Sequence, residues 1–197
     1  MKIVGLCGGS GSGKGAVCLF FEKCGIPCID TDKVYHDLVS KRTPCLIDLA
    51  SAFGEHIISD NSLDRTALGE IVFSSRDSLQ MLNSIAHRHI LDEVRRMISV
   101  YERSGVIGVV VDAPLLFESG FNMECDLTVC VIADKDERIK RIMARDSIDE
   151  KKARARISSQ IPDSELVAKC DHVIENNKNI EELELSVRAL VKNIFGI

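Results

Sequence analysis

Short runs of apolar, mostly β-branched residues alternate along the chain with stretches in which apolar residues recur every three or four positions. This alternation is typical of parallel β-α-β construction, in which a helix follows each strand and packs on the sheet. The predicted strands cover residues 3–7, 27–29, 106–111, 127–132 and 172–174. The pattern therefore predicts an α/β fold with a parallel sheet of about five strands.

The segment from residue 33 to residue 103 lacks this alternation, and helical spacing dominates it. A long helix is predicted there from an apolar stripe formed by Leu79, Leu82, Ile85, Ile90, Val94, Met97 and Tyr101. A C-terminal amphipathic helix is predicted from Ile180, Leu183, Val187, Leu190, Val191 and Ile194. We expect an all-helical insertion at 33–103 and a core built from residues 1–32 and 104–197.

A glycine-rich loop directly follows the first predicted strand and fits the phosphate-binding pattern G-x-x-x-x-G-K. Its residues are Gly8, Gly9, Ser10, Gly11, Ser12, Gly13 and Lys14. The glycines let backbone N–H groups converge on phosphate oxygens, while Lys14 and the N-terminus of the next helix add positive charge. That helix is predicted from about Lys14 to Lys23, with Gly25 as its stop. The pattern usually continues with a Ser or Thr that binds Mg²⁺, but this chain has Gly15, so we expect a triphosphate site that lacks one metal ligand.

The composition, with 45% hydrophobic and 28% charged residues, is that of an ordinary globular protein. A net charge of −5 argues against broad binding to nucleic acid. The chain begins directly with the first strand, and no apolar run reaches the length of a membrane span. We therefore expect a cytoplasmic protein with neither a nucleic-acid nor a membrane partner.

The eight cysteines contain no C-x-x-C pair, which argues against a zinc site. Several of them, such as Cys130, lie within apolar strand-like runs, so we expect free, buried thiols. A redox role for Cys24 and Cys28 is the alternative.

Carboxylates stand at the ends of two predicted strands. Asp32, in Asp30-Thr31-Asp32, is a candidate to orient an acceptor hydroxyl and take its proton, because ligands of open α/β sheets bind beyond the carboxyl ends of strands. Capping of the next helix by Asp30, Thr31 or Asp32 explains the pattern equally well. Asp112, after the most apolar strand, is a candidate to hold Mg²⁺ through water, or else to satisfy nearby backbone N–H groups.

Residues 135–156 carry nine basic and five acidic side chains, most of which we expect on a solvated helix face. Arg141 and Arg145 are four residues apart and so project from one face of a helix, where they are a candidate phosphate clamp. His87 and His89 point to different sides of a helix, which argues against a metal pair, although one of them could contact an acidic substrate.

Over nearly its whole length the sequence resembles the dephospho-coenzyme A kinase family. The most discriminating motifs are Asp30-Thr31-Asp32 and the segment Asp112-Ala113-Pro114-Leu115-Leu116-Phe117-Glu118, which accompany the glycine loop. Further matches are Phe53-Gly54, Leu63-Asp64-Arg65, Leu68, Phe73, His87, Arg141, Arg145, Gln160 and Asp171-His172-Val173-Ile174-Glu175-Asn176.

The resemblance implies a three-layer P-loop NTPase core, a helical CoA-binding insertion and a helical lid within about 138–165. It implies transfer of the ATP γ-phosphate to the ribose 3′-hydroxyl of dephospho-CoA, with ATP and Mg²⁺ as cofactors, by a monomer or weak homo-oligomer. The implied catalytic residues are Lys14, Asp32 as the base, and Arg141, with Asp112 near the metal. The implied nucleotide-binding residues are Gly9, Ser10, Gly11, Ser12, Gly13, Lys14, Gly15, Ala16, Arg145 and Asn176. The implied acceptor-binding residues are Asp32, Arg65, His87, Pro114, Leu115, Leu116 and Glu118.

The chain departs from the family pattern at a few positions. Gly15 replaces the usual Ser, Ala16 the usual Thr, Arg88 a proline and Cys170 an alanine. Two alternatives follow: another small-molecule P-loop kinase, or a nucleotide-binding homologue whose catalysis is impaired because Gly15 has no hydroxyl. A GTPase is disfavoured because no N-K-x-D-type guanine segment occurs.

Overall fold

The computed structural model describes all 197 residues and divides them into two compact units, one formed by Met1–Ile29 with Val100–Ile197 and the other by Asp30–Ser99. The strands are β1 (Lys2–Cys7), β2 (Cys28–Asp30), β3 (Ile58–Ser59), β4 (Ser62–Leu63), β5 (Gly108–Asp112), β6 (Leu127–Ile132) and β7 (His172–Glu175). The helices are α1 (Lys14–Lys23), α2 (Thr31–Val39), α3 (Pro44–Phe53), α4 (Arg65–Val72), α5 (Arg76–Arg103), α6 (Lys135–Asp146), α7 (Glu150–Ser158), α8 (Asp163–Lys169) and α9 (Ile180–Phe195). Two short 3-10 turns complete the list, at Glu55–Ile57 and Phe121–Glu124.

The central sheet has five strands in the order β2-β5-β1-β6-β7. The parallel register runs from Lys2 opposite Gly108 on one side of β1 and from Val4 opposite Leu127 on the other. All five predicted strands are therefore confirmed. The third predicted strand begins at Gly108 rather than at residue 106, and Ile107, just before it, is 47% exposed.

Helices α1 and α9 cover the sheet with fully buried side chains. Phe21 of α1 and Val187 of α9 belong to the same apolar core as Val4, Val110 and Val129 of the strands. The C-terminal stripe is confirmed except at Ile180, which is 53% exposed because it is the first residue of α9 and lies at its edge. Burial of this core is the main contribution that holds the sheet and its helices together.

The unit Asp30–Ser99 has its own apolar core, in which Leu49, Ile57 and Leu68 are at most 4% exposed. The predicted long helix is present as α5. The prediction that this region is all-helical is wrong, because β3 and β4 form an antiparallel hairpin. Asp60 and Asn61 make its two-residue turn with positive φ angles of 49° and 62°. Strands of two residues are too short for a period-two pattern to reveal them.

No helix in the structure is both long enough and apolar enough to cross a lipid bilayer.

Candidate functional site

The glycine loop connects the carboxyl end of β1 to the N-terminus of α1, as predicted. Gly13 is the N-cap of α1 and has a φ of 102°, a left-handed conformation that glycine adopts without strain. A Cβ atom at Gly13 would also collide with the side-chain amide of Asn176. The sequence therefore needs glycine here both for the turn and for close packing behind the loop.

Lys14 folds back across the loop that precedes it. Its Nζ atom donates a hydrogen bond to the carbonyl oxygen of Gly8 at 2.9 Å. The hydroxyl of Ser12 is buried, at 1% exposure, and makes no hydrogen bond to the protein. A buried hydroxyl without a partner is uncommon, and a phosphate oxygen is a suitable acceptor for it. The loop thus has the charge and the polar groups that a nucleotide phosphate requires.

Arg138 is a residue of this site that the sequence analysis missed. Arg138 is 4% exposed, and its guanidinium donates from Nε to the carbonyl of Ser10 at 2.9 Å. It also donates to both carboxylate oxygens of Asp163, at 2.8 and 3.0 Å, and to Oε1 of Gln160 at 3.1 Å. Gln160 in turn accepts from the Ser10 N–H at 2.9 Å and donates to the Ser10 hydroxyl at 3.1 Å.

Arg138 and Gln160 hold Ser10 by its carbonyl, its N–H and its hydroxyl, and Asp163 holds the Arg138 guanidinium in place. We call Arg138, Gln160 and Asp163 the Ser10 clamp. A signal existed in the sequence, because Arg138, Arg141 and Arg145 are spaced three and four apart on α6. Nothing in that spacing showed which arginine would be buried.

Arg141 lies beside the next part of the loop. Its Nη1 donates to the carbonyls of Gly11 and Ser12 at 3.2 and 3.4 Å, and its Nη2 donates to the carbonyl of Asn176 at 3.0 Å. The Asn176 side chain, 7% exposed, donates to the Ser12 carbonyl at 2.8 Å. The structure therefore brings Arg141 and Asn176 together at the glycine loop. Their contacts give the carbonyls of Gly11 and Ser12 hydrogen-bond donors within the protein.

Arg145 has different partners. It makes two hydrogen bonds to Asp146, from Nε at 2.7 Å and from Nη2 at 2.9 Å, and Arg156 is also paired with this carboxylate. The hydrogen bonds from Arg145, followed by those from Arg156, lower the pKa of Asp146 to about 2. Arg141 and Arg145 share a helix, but in this structure they do not share a partner.

The sequence left two roles open for the carboxylates after β2, helix capping and catalysis, and the structure assigns the first of them to Asp30. Asp30 is the N-cap of α2, and its Oδ1 accepts from the N–H groups of Asp32 and Lys33 at 2.9 and 3.1 Å. Asp32 lies in the first turn of α2, and its side chain is exposed. Helix capping is therefore the role of Asp30 and does not explain Asp32.

Asp112 is the last residue of β5 and is half-buried. Its Oδ2 atom accepts a weak hydrogen bond from the Cys18 thiol, with a sulfur–oxygen distance of 3.9 Å. A side chain at Gly15 would have no protein atom within 4 Å, so the space beside the first turn of α1 is open. No group of three or more His, Cys, Asp or Glu side chains forms a metal cage. The chain can thus offer a metal one carboxylate but no hydroxyl at residue 15.

The other residues that the resemblance implies for acceptor binding lie on helices α4 and α5 and in the segment that follows β5. Arg65 begins α4, and its Nη2 lies 2.9 Å from Nδ1 of His36. His87 is on α5, where the neighbouring His89 contacts Asp48 at 2.8 Å.

The segment after β5 presents two kinds of side chain. Pro114, Leu115 and Glu118 are exposed, and Leu115 is a large apolar side chain with 45% of its surface accessible. Leu116 is completely buried and packs beside Gly5, so it can hold the segment in place but has no surface for a ligand.

Comparisons with known proteins agree with one another. A family model described as dephospho-CoA kinase matches residues 2–182. The dephospho-CoA kinase of Corynebacterium efficiens is 37% identical over 99% of this chain and 98% of its own length. The dephospho-CoA kinase of Carboxydothermus hydrogenoformans is 35% identical over 98% of this chain and 94% of its own.

Solved structures show the same fold. The protein TT1252 from Thermus thermophilus superposes with a TM-score of 0.81 at 30% identity, covering 98% of this chain and 97% of that one. A dephospho-CoA kinase from Campylobacter jejuni has a TM-score of 0.73 at 24% identity, with 100% and 98% coverage. A shikimate kinase from Bacteroides thetaiotaomicron, at 15% identity and a TM-score of 0.57 with 98% coverage of both chains, shares the fold alone.

Proposed function

The chain belongs to the dephospho-CoA kinase family, and on that premise we propose how its residues carry out the reaction. The γ-phosphate of ATP is transferred to the 3′-hydroxyl of the ribose of dephospho-CoA, which gives CoA and ADP. The observation that supports this most directly is the glycine loop with Lys14, braced by Arg138, Arg141 and Asn176. The family match favours this activity over another small-molecule kinase and over a homologue that binds nucleotide without catalysis.

The triphosphate of ATP binds at the amide side of the loop, from Gly9 to Ala16. Lys14 exchanges its contact with the Gly8 carbonyl for the β- and γ-phosphates, and the Ser12 hydroxyl gains an acceptor. From its resemblance to the family we assign Asn176 to the adenine side; its carbonyl accepts from Arg141 and its side-chain amide donates to the Ser12 carbonyl. A loop braced in advance loses little conformational entropy when the nucleotide binds.

Arg141 stabilises the charge on the transferred phosphoryl group, and Arg145 supports it. Because the Arg141 guanidinium contacts loop carbonyls, this role requires it to exchange at least one of them for a phosphate oxygen. Arg145 must likewise leave Asp146 to reach a phosphate. Both exchanges replace one charge-assisted or polar hydrogen bond by another and so cost little free energy.

Mg²⁺ supplies charge neutralisation on the migrating phosphoryl group when it is bound. The residue of this chain that is suited to hold it, through water, is Asp112 at the end of β5. The phosphates and water would supply the other ligands, because Gly15 has no hydroxyl. Asp112 therefore carries more of the protein's contribution to metal binding than it does where a Ser or Thr is present.

Asp32 accepts the proton of the ribose 3′-hydroxyl and aligns that oxygen for attack. Its neighbour Asp30 is committed to the helix cap, so only Asp32 has a side chain suited to this task in the Asp30-Thr31-Asp32 motif. Arg65, His87, Pro114, Leu115 and Glu118 contact the acceptor, with Leu116 holding the last three in position. We further propose that the protein is cytoplasmic and acts on a small molecule as a monomer or weak homo-oligomer, and its net charge of −5 argues against broad binding to nucleic acid.

Replacement of the proposed base is the test of this mechanism. We expect Asp32→Asn to lower kcat by about 10²–10⁴-fold, the range of general-base contributions, with the KM for ATP little changed. Asp37→Asn, an exposed carboxylate of the same helix, is the matched control and should leave kcat unchanged. A kcat for Asp32→Asn within a factor of two of the control would remove Asp32 from the chemistry.

A further inference from the structure

Three cysteines that the reaction does not use meet behind the glycine loop. Cys7 is the last residue of β1, and Cys130 lies opposite it in the parallel register of β6. Cys170 comes two residues before β7, and its Sγ atom is 3.5 Å from the Sγ of Cys7. Cys7 and Cys130 are buried, whereas Cys170 is half-buried.

We propose that Cys7 and Cys170 are a modification site at which a hydroperoxide converts the two thiols to a disulfide, and that this bond weakens nucleotide binding at the adjacent glycine loop. Cys170 is the thiol that reacts first, because it is the one that retains exposed surface. Cys7 is the resolving thiol, since it is already in contact with Cys170.

The surroundings of Cys170 favour its thiolate. Its interactions with the thiols of Cys130 and then Cys7, the latter with the two sulfur atoms 3.5 Å apart, lower the pKa of Cys170 well below that of an ordinary thiol. The same interactions raise the pKa values of Cys130 and Cys7, so these two keep their protons. The thiolate is the nucleophilic form of cysteine, and a low-pKa thiol beside a resolving thiol is the usual arrangement of an oxidation-sensitive pair.

The chemistry balances with a hydroperoxide as the only oxidant. The Cys170 thiolate attacks one oxygen of hydrogen peroxide, the O–O bond breaks, and Cys170 becomes a sulfenic acid while the other oxygen leaves as water after taking up a proton. The Cys7 sulfur then attacks the Cys170 sulfur, the S–O bond breaks, and a second water leaves with the Cys7 proton. Two thiols lose two electrons in total, and one peroxide is reduced to two waters.

The bond requires the two sulfur atoms to move closer, from 3.5 Å to about 2.0 Å. The Cys170 side has little freedom, because the next residue, Asp171, is tied to Thr128. Its Oδ2 accepts from the Thr128 N–H and hydroxyl at 2.7 and 2.8 Å, and its own N–H donates to the Thr128 carbonyl at 3.1 Å.

Much of the movement therefore falls on Cys7 and on the residue after it. Gly8 has its Cα so close to the Val131 carbonyl that a Cβ there would collide with it, and its own carbonyl accepts from Lys14. A shift of Cys7 must then displace the start of the glycine loop and the Lys14 contact. Because amides and Lys14 must converge on the phosphates, displacement lowers the affinity for nucleotide.

The effect must act in both directions. If the disulfide weakens nucleotide binding by some factor, bound nucleotide disfavours the disulfide by the same factor. ATP should consequently protect the pair from peroxide. Cys24 and Cys28, which the sequence analysis named as an alternative redox pair, are not part of this cluster, and the Cys28 thiol donates to the Cys18 carbonyl at 3.5 Å.

The test uses the full chain, reduced and then treated with hydrogen peroxide, with and without ATP. We expect a mass loss of about 2 Da and a Cys7–Cys170 crosslink in peptide mapping, as two thiol hydrogens are removed. We expect at least a tenfold loss of affinity for a fluorescent ATP analogue, reversed by a reductant, and slower crosslinking when ATP is present. Cys170→Ala should be insensitive to peroxide, and Cys24→Ala, the matched control with a half-buried thiol outside the cluster, should behave as the wild type.

Three results would overturn the proposal: a crosslink between other cysteines, peroxide sensitivity that persists in Cys170→Ala, or a Cys7–Cys170 bond with unchanged nucleotide affinity. Peptide mapping and nucleotide binding do not depend on the acceptor. Failure of this inference is therefore distinguishable from failure of the proposed transfer to dephospho-CoA.

Discussion

At the scale of single residues, the glycine loop depends on a buried arginine outside its own motif. Lys14 and the glycines could be predicted from sequence because their spacing is a property of the loop itself. Arg138 could not, because nine basic residues lie between 135 and 156 and only packing decides which one is buried. The fold brings Ser10 and Gln160 together across 150 positions of the chain, a contact that no local pattern contains.

We expect Arg138→Gln to raise the KM for ATP by about tenfold or more, since hydrogen bonds to a charged group contribute about 1.5–3 kcal/mol. The KM for dephospho-CoA should stay the same, because the Ser10 clamp contacts only the nucleotide loop. Steady-state kinetics with each substrate varied in turn gives the two values.

Lys140→Gln, an exposed position on the same helix, controls for charge. Equal increases in both KM values, or a melting temperature that falls enough to explain the loss, would assign Arg138 to general stability.

Gly15 stands where a phosphate-binding loop usually has a Ser or Thr hydroxyl for Mg²⁺. Its backbone does not require glycine, and a side chain there meets open space, so substitution is sterically free. We expect Gly15→Ser to lower the Mg²⁺ concentration that gives half-maximal activity, because the new hydroxyl can bind the metal directly.

Gly15→Ala is the matched control, since both substitutions replace the same first-turn glycine of α1 and only Ser adds a hydroxyl. If Ala and Ser shift the Mg²⁺ requirement alike, coordination by the hydroxyl is not the cause.

At the scale of elements, the N-terminus of a helix shows which carboxylate has a structural role as its cap and which one is left as a candidate for catalysis. The sequence predicted a cap somewhere in Asp30-Thr31-Asp32 but not which residue, since all three are common N-cap types. In the structure the extended backbone of Asp30, with φ −91° and ψ 111°, makes it the cap. Predictions of the strands and of α5 succeeded because their apolar patterns span several residues, while the β3–β4 hairpin was missed because it spans only four paired residues.

We expect Asp30→Ala to lower the free energy of unfolding by about 1 kcal/mol through loss of the cap. Asp30→Ser should retain most of that free energy, because a hydroxyl also accepts from the first-turn N–H groups. Urea denaturation of the two variants provides the comparison. Equal stability of Ala and Ser at residue 30 would show that the hydrogen bonds to Asp32 and Lys33 contribute nothing measurable.

At the scale of the whole molecule, the α/β class and the five parallel strands followed from the sequence, but the strand order did not. A run of apolar residues indicates that a strand is central in a sheet, but it does not indicate which strands lie on either side. The position of β1 between β5 and β6 depends on contacts between residues far apart in the sequence. The order has a functional result. It sets Cys7 and the glycine loop beside β6, with β7 the next strand along, and the segments after these two strands supply Arg138, Arg141 and Asn176.

The measurement that tests the account most directly is ADP release by the purified chain with Mg²⁺ and ATP, in the presence and absence of dephospho-CoA. We predict ADP formation that depends on dephospho-CoA, with CoA identified by mass as the product. With CoA in place of dephospho-CoA we predict no ADP formation, because the 3′-hydroxyl of CoA is already phosphorylated. A chain that binds ATP yet releases no ADP with dephospho-CoA, or releases the same amount without it, would contradict the account.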